Sequence, residues 1–527
     1  MKKKLLTGTF WLSMSNIICK ILGIVYLIPW LIFMGNTQDQ QSAQALYNVA
    51  YLPYALFLSL GTAGFPSGIA KKIAEMNTKE SQYRVRELFQ SGLAVMEIIG
   101  IISAVLMFIF APVLSKMSPI IDHTAGTIAT RSLCLSLLII PILSAIRGYF
   151  QGLNLTISFG ISQVIEQLVR VIVILVGTYY IRIISSGSIL SAVVVSTFAS
   201  CVGGMFAILY LSWIGKKKNL FRMRDFISPP VKLVRRTKRI AEEIIRESLP
   251  FVFVGAVISI LQLIDQFSLK PIFSWLFPAM SSETLQTLYT IASTNPNKLA
   301  PILLSIISSV TITSLPLLSV VRTKIDRQSN VSDILRLTVT FLVPSSIGMM
   351  LLCVPLNTLF FGYNLDASLY LATTIMSTFF LGLFSVLLSI LQALNAHKKA
   401  ISFTAKIILL KLFLQIPCIY LFRGMGLAVA TTIGTLIVTM MVYRFIVHQF
   451  DIHPIGYAWN YYGKVFKATI IMSTLCVVLL KFLSFFSNFE SKLQSIIVIA
   501  IVGCFGSSIF VGLLFRKKLS RKLKSLI

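Results

Sequence analysis

The 527-residue chain is 56% hydrophobic and only 12% charged, with a mean hydropathy of +0.85. A soluble protein of this length needs roughly 25% charged residues to cover its surface, so most of this surface is expected to face lipid. The formal charge of +29, from 47 Lys and Arg against 18 Asp and Glu, sits in short basic runs between apolar stretches. That pattern fits cytoplasmic loops meeting an anionic leaflet and argues against a nucleic-acid partner.

A hydrocarbon core of about 30 Å takes around 20 apolar residues per helix. That ruler predicts an all-α polytopic membrane protein with fourteen spans, near 8–33, 46–70, 88–113, 127–150, 158–182, 187–213, 248–274, 287–320, 333–358, 367–395, 400–422, 425–447, 464–487 and 494–516. The basic Met1–Lys4 start followed by an uncut apolar run reads as a retained first helix, not a cleaved leader. The eighth span is overlong and contains Asn295-Pro296, which predicts a kink or break there. Placing the N-terminus inside puts 33 basic residues on the cytoplasmic side and about six (Lys116, Arg182, Lys270, Arg423, Lys481, Lys492) on the other, so both termini are expected in the cytoplasm.

Gln151-Gly-Leu-Asn154 closes the fourth span and Gln392-Ala-Leu-Asn395 the tenth, an offset of 241 residues. The same offset carries the first span onto the seventh, and Tyr47 falls one residue out of register with Tyr289. Six spans is an even number, so the copies share one orientation, as in transporters built from parallel repeats around a central cavity. The expected division is an N-terminal lobe at 1–213, a basic cytoplasmic linker at 214–247, a C-terminal lobe at 248–449, and two extra spans with a basic tail at 450–527. Within the linker, Val231, Val234, Ile240, Ile244 and Ile245 recur at roughly helical spacing among basic residues, which reads as an amphipathic helix on the membrane surface.

Ionisable residues deep in a span are expensive, and each is a functional candidate. The basic ones are Lys20, Arg170, Lys298, Lys406 and Lys411; the acidic ones are Glu97, Glu166 and Asp265. Arg131, Arg147 and Arg336 lie close enough to span ends to snorkel. Glu166 and Arg170 are four apart with the acid first, the order that favours an ion pair on one helix face. Such a pair serves equally as a neutralised brace for the bundle. Without it, four lysines stand against two carboxylates, a surplus suited to a phosphate or diphosphate and unsuited to an organic cation. Lys20 leads, beside Asn16; Lys298 follows, just after the Asn295-Pro296 break. Arg147, Glu97 and Asp265 join Glu166 as candidates for gating, ion pairing or coupling.

Several signals point away from other chemistry. The seven cysteines lie in apolar segments without a C-x-x-C pair, and the four histidines show no ligand spacing, so no metal site is expected. No G-x-x-x-x-G-K-[ST] loop occurs. The outward loops are short and lack a clustered Asp/His/Glu constellation, which disfavours a membrane glycosyl or acyl transferase. Gly64/Gly68 and Gly148/Gly152 form G-x-x-x-G patterns that read as close helix packing.

The block Arg147-Gly-Tyr-Phe-Gln-Gly-Leu-Asn154, followed by Ser162-Gln-Val-Ile-Glu-Gln-Leu-Val-Arg170, resembles the SpoVB/YtgP branch of the polysaccharide transporter family. Lys20-Ile-Leu-Gly23, Thr62-Ala-Gly-Phe-Pro66 with Lys71, and Gln392-Ala-Leu-Asn-Ala-His397 support the likeness. That branch belongs to the multidrug/oligosaccharidyl-lipid/polysaccharide (MOP) exporter superfamily and is related to the MurJ-like lipid II flippases. The resemblance implies a V-shaped pair of lobes, alternating access, and movement of an undecaprenyl-diphosphate-linked saccharide across a bacterial plasma membrane. It also implies a groove for the lipid tail at 464–516. A first-helix S-R-x-L-G-x-x-R pattern of Gram-negative relatives reads here as Lys20 at its first arginine and Tyr26 at its second, so Lys298 or Lys406 is expected to supply the missing charge. The expected activity is lipid II flipping in peptidoglycan biosynthesis. The alternatives are export of another lipid-linked glycan (capsule, teichoic acid, spore cortex), a drug/cation antiporter, or a non-transporting scaffold. No cofactor is expected beyond a coupling Na+ or H+. The expected partners are the lipid-linked saccharide, anionic phospholipid and cell-wall synthesis enzymes, with the protein itself a monomer.

Overall fold

The computed structural model describes residues 2–62, 69, 73, 82–153, 155–220, 251–305, 307 and 323–524. The expected amphipathic helix of the linker, the Thr62–Pro66 motif beyond its first residue, Lys71, Asn154 and the latter part of the expected eighth span lie outside these residues.

Every described regular element is a helix. From the N-terminus run α1 (Lys2–Val25), α2 (Leu27–Met34), α3 (Thr37–Thr62), α4 (Gln82–Met117), α5 (His123–Ser132), α6 (Cys134–Gly152), α7 (Thr156–Tyr179) and α8 (Ile189–Lys217). Next come α9 (Val257–Leu276), α10 (Ser282–Tyr289) and the single turn α11 (Pro296–Leu299). The remainder are α12 (Lys324–Leu351), α13 (Cys353–Phe361), α14 (Leu365–Ala393), α15 (His397–Phe422), α16 (Gly426–Phe450), α17 (Pro454–Ser484) and α18 (Lys492–Lys524). Ten stretches among the described residues are long and apolar enough to cross a bilayer, and one of them, His397–Phe450, holds two of the expected spans. The expected second and seventh spans are not among the ten. Thr37–Gln44 makes the start of α3 polar, and Asp265, Gln266 and Lys270 interrupt α9. The eighth runs into residues outside those described.

Helices overshoot the apolar runs that predict them. The second span was expected to start near residue 46, yet α3 starts at Thr37; the third was expected near 88, yet α4 starts at Gln82. Backbone hydrogen bonding favours continuing a helix past the hydrocarbon edge, where hydropathy no longer marks it. Local chemistry fixes the ends. Asp122 caps α5 by accepting from the Thr124 and Ala125 amides at 2.9 Å. Ser188, Ser281, Thr323 and Asn364 cap α8, α10, α12 and α14 in the same way. The break expected at Asn295-Pro296 is present: a π-helical turn, Thr290–Thr294, precedes it and α11 starts at Pro296.

The chain divides into two compact units, one of Met1–Thr290 with His397–Ile408, the other of Ile291–Ala396 with Leu409–Ile527. In the first, α7 packs along α8 and α1, and α4 along α6. Its apolar core gathers Phe89, Met96, Leu143, Phe150 and Leu211, with the Phe89 and Tyr149 rings 4.4 Å apart. In the second, α14 packs on α16, and α12, α17 and α18 share a core around Leu352, Val465, Met472, Val498 and Phe510. Many apolar side chains of α4, α17 and α18, among them Ile109, Ile470 and Ile497, stay exposed, as a lipid-facing surface requires.

Candidate functional site

The strongest concentration of buried charge lies in the first unit, where α6 and α7 meet. Glu166 of α7 bridges two guanidinium groups. Its Oε2 lies 2.9 Å from Arg147 Nη2 on α6, and its Oε1 lies 2.5 Å from Arg170 Nη2 one turn along α7. The three side chains are only 12–20% exposed. Arg147, near enough to a span end to snorkel and also a candidate for ion pairing, pairs here with the carboxylate. Its Nε donates to Ser162 Oγ at 2.9 Å, and its guanidinium lies 5.7 Å from the Phe159 ring centre. A carboxylate within reach outweighs snorkelling, because a charge-assisted pair satisfies both groups in place.

Backbone proximity makes the cluster possible. Gly203 of α8 sits where a Cβ would lie 2.6 Å from the Glu166 carbonyl oxygen and 3.4 Å from Arg170 Cβ. Only a hydrogen there lets α8 press against the helix that carries both charges. On the other side α1 packs along α7, with Ser15 Oγ donating to Gln163 Oε1 at 3.2 Å. This brings Lys20 to the cluster: it lies within electrostatic reach of Arg170, and its neighbour Cys19 feels Glu166, Arg147 and Arg170 together. Lys20 is exposed, and Asn16, one turn earlier, is half-buried. Three cations against one carboxylate leave a surplus of two positive charges, the balance that attracts a phosphate group.

The other expected residues lie elsewhere. Glu97 is exposed on α4 among exposed Ile98, Ile101 and Ile102. Asp265 is buried in α9, beside Gln266. Gln266 belongs to a polar chain in which Asn48 Nδ2 donates to the Tyr289 hydroxyl (2.8 Å), that hydroxyl donates to Gln266 Oε1 (3.2 Å), and Gln266 Nε2 donates to Ser118 Oγ (2.7 Å). Lys406 is exposed on α15 with its ammonium 5.1 Å from the Phe403 ring centre. In the second unit Lys298 is half-buried on α11, and Lys411 is buried, 1% exposed.

Sequence reasoning overlooked two features. One is a row of tyrosines on α3, Tyr47, Tyr51 and Tyr54, with successive ring centres 5.7 and 5.8 Å apart and Arg170 as a shared electrostatic neighbour. Its signal was available as the i, i+4, i+7 spacing of one residue type. The other is Arg182, whose guanidinium reaches Asp39 Oδ2 and the Met34 carbonyl, both at 2.7 Å, and the Gly187 carbonyl at 2.9 Å. It ties the α2–α3 turn to the π-helical turn Tyr180–Ile184, and a loop charge offers no sign of that in sequence. Among the described residues no group of His, Cys, Asp and Glu is arranged to hold a metal ion.

These features define an all-helical, multi-pass membrane protein with a buried ionic cluster at mid-helix. The chain belongs to the polysaccharide biosynthesis protein family, whose model matches residues 5–305. It is 29% identical to the lipid II flippase MurJ of Bacillus subtilis (strain 168) over 534 residues, covering 97% of this chain and 95% of that protein. It is also 26% identical to stage V sporulation protein B of the same organism, over 45% of this chain and 44% of the other. Among solved structures, MurJ in an inward closed conformation superposes with a TM-score of 0.65 at 16% identity, covering 96% of this chain and 99% of that one. An inward-facing multidrug resistance MATE family transporter of the MOP superfamily superposes at 0.58 with 14% identity, covering 83% and 94%. MurJ and the MATE protein are transport proteins and not enzymes, and this chain is a membrane transporter with a MurJ-like fold.

Proposed function

We propose that the protein is a flippase that carries lipid II, an undecaprenyl-diphosphate-linked peptidoglycan precursor, from the inner to the outer leaflet of a bacterial plasma membrane. The observation that carries this reading is the Arg147–Glu166–Arg170 cluster with Lys20 beside it, in a chain that aligns with MurJ almost end to end. A diphosphate headgroup cannot enter about 30 Å of hydrocarbon unaided, because burying its charges is prohibitive. A site with surplus positive charge at mid-depth replaces part of the lost hydration while the polyprenyl tail stays in lipid.

In this reading the lobes at 1–213 and 248–449 alternate access around the headgroup, with both termini in the cytoplasm, where the excess of loop lysines and arginines places them. Lys298 or Lys406 supplies the further positive charge in the second repeat, and residues 464–516 receive the tail. Release requires weaker binding in the outward state, since a ligand shifts an equilibrium only through differential affinity. A sodium or proton gradient, the membrane potential, or consumption of product outside each suffices as a driving force.

The test places the gene in a bacterium whose own lipid II flippase can be switched off and measures the fraction of lipid II reached by an impermeant probe. Wild type is expected to restore exposure, and Lys20→Ala is expected to lose most of it at equal expression. A well-expressed wild type that leaves lipid II inside would sink the substrate assignment in favour of another lipid-linked glycan. Full exposure by Lys20→Ala would sink the role given to that lysine.

A further inference from the structure

The tyrosine row of α3 runs from half-buried Tyr47 and Tyr51 to Tyr54 in the core, and it has no part so far in the proposed transport. Tyr47 and Tyr51 are half-buried, so ring surface stays accessible, whereas Tyr54 is 2% exposed. Tyr47 and Tyr51 stack nearly parallel, 17° between planes at 5.7 Å, and Tyr51 meets Tyr54 at 48° and 5.8 Å. The row is braced at one end by Trp30, edge-on to Tyr47 at 5.9 Å, its indole N–H donating to Ser196 Oγ at 2.9 Å. A hydroxyl–hydroxyl bond joins Tyr26 of the α1–α2 break to Tyr47. The Tyr54 hydroxyl, at the other end, is buried with no hydrogen-bond partner among the described residues.

Placement gives the row meaning. α3 packs on α6, the helix that carries Arg147, and Arg170 of α7 is an electrostatic neighbour of all three tyrosines, with Glu166 a further neighbour of Tyr54. Held rings with accessible faces therefore stand beside the cationic cluster. Rigid tyrosines present an electron-rich face and a polar rim at little entropic cost. The axial C–H groups of a pyranose carry partial positive charge and stack on such a face, while its hydroxyls bond the phenol oxygens. An isoprenoid chain would use the ring area but not the hydroxyl row or the neighbouring cations.

We propose that Tyr47 and Tyr51, backed by buried Tyr54, form a stacking surface for the saccharide of the lipid-linked substrate, with Tyr51 as the specificity-determining residue. The inference rests on the flippase reading and deepens it: the cations take the diphosphate, and the tyrosines read whether a sugar is attached to it. Tyr51 sits at the centre of the row with an accessible ring, so it makes the contact; Tyr47 and Tyr54 hold it in orientation.

The experiment measures binding of two lipids to the purified full-length protein in nanodiscs: lipid II, and undecaprenyl diphosphate without sugar. Wild type is expected to prefer lipid II. Tyr51→Leu is expected to weaken lipid II binding about tenfold, the scale of one lost aromatic contact, while leaving undecaprenyl diphosphate binding in place. Tyr51→Phe restores most of the preference, because the ring face is kept. Equal weakening of both lipids by Tyr51→Leu, or none of either, overturns the proposal. If the leucine variant does not fold, Tyr51→Gln removes the ring in its place and is read by the same criteria. Wild type that binds neither lipid refutes the flippase reading itself, an outcome distinct from a sugar-independent Tyr51.

Discussion

The 241-residue offset allows one helix pair to be compared with its counterpart. In the first unit α6 and α7 carry Arg147, Glu166 and Arg170. At the same offset α14 and α15 carry Leu388, Ile407 and Lys411. Leu388 and Ile407 are 0% and 1% exposed, so two of the three ionic positions have become ordinary core. The third keeps its charge but is buried. Lys20 likewise maps onto Leu261, and Tyr51 onto Ala292, both buried and apolar. At this offset the ionic and aromatic positions of one helix pair are matched by mostly apolar ones in the other. If the proposed function holds, a site that grips one end of an asymmetric lipid has no use for symmetric charge.

The contrast can be broken most sharply at its centre. Glu166→Gln leaves two largely buried arginines without their carboxylate, and breaking such a cluster costs about 3–5 kcal/mol. The expected outcome is a markedly lower unfolding temperature in detergent and no restored lipid II exposure. A variant as stable as wild type would show that Glu166 is dispensable to the fold.

A gentler comparison exchanges the two repeat-equivalent cations for methionine. Arg170→Met is expected to abolish transport, while Lys411→Met, deep in helix packing, is expected to retain the larger share of it. Apolar replacement of a buried charge is often neutral or stabilising. Parity between the two variants in the exposure assay would mean that the copies share the work.

The smallest effect is expected at the surface, between α16 and α17. Lys324 and His453 both bond to Asp451, and these bonds hold its carboxyl below the ordinary carboxylate range. The pair therefore contributes at pH above the unfolded value of about 3.9 and fades as pH falls through the lower folded value. Asp451→Asn should leave the unfolding temperature nearly unchanged at neutral pH, since exposed pairs contribute little. A large drop there would mark this junction as a joint of the fold.

Sequence legibility followed the reach of each signal. Apolar runs located most of the membrane helices, the second, seventh and eighth expected spans excepted, because hydrophobic length is local. Asn295-Pro296 located the break in the eighth span, and the spacing of Glu166 and Arg170 gave their ion pair, because both are fixed within one helix. Arg147 was legible both as a snorkelling residue and as an ion-pair candidate, and the sequence did not name its partner: that carboxylate arrives from the next helix, and depth along a span says nothing about lateral facing. The same gap explains Lys411, Lys406 and Glu97. They are alike in sequence as charges inside apolar helices, yet one is buried in packing and two are exposed. The tyrosine row was visible as a spacing but carried no functional meaning until Arg170 was placed beside it.

The shared carboxylate of Glu166 has a consequence for how tightly anything can bind. The cluster carries its own counter-ion, so its two guanidinium groups do not stand bare in a low-dielectric interior. Under the proposed function, an incoming diphosphate competes with a tethered rival for Arg147 and Arg170, and its net affinity is the difference between the two. The same rival stands ready to reclaim the arginines as the headgroup departs. A tethered competitor of this kind keeps capture from becoming a trap, so turnover is set by an exchange of anions and not by the breaking of bonds to nothing.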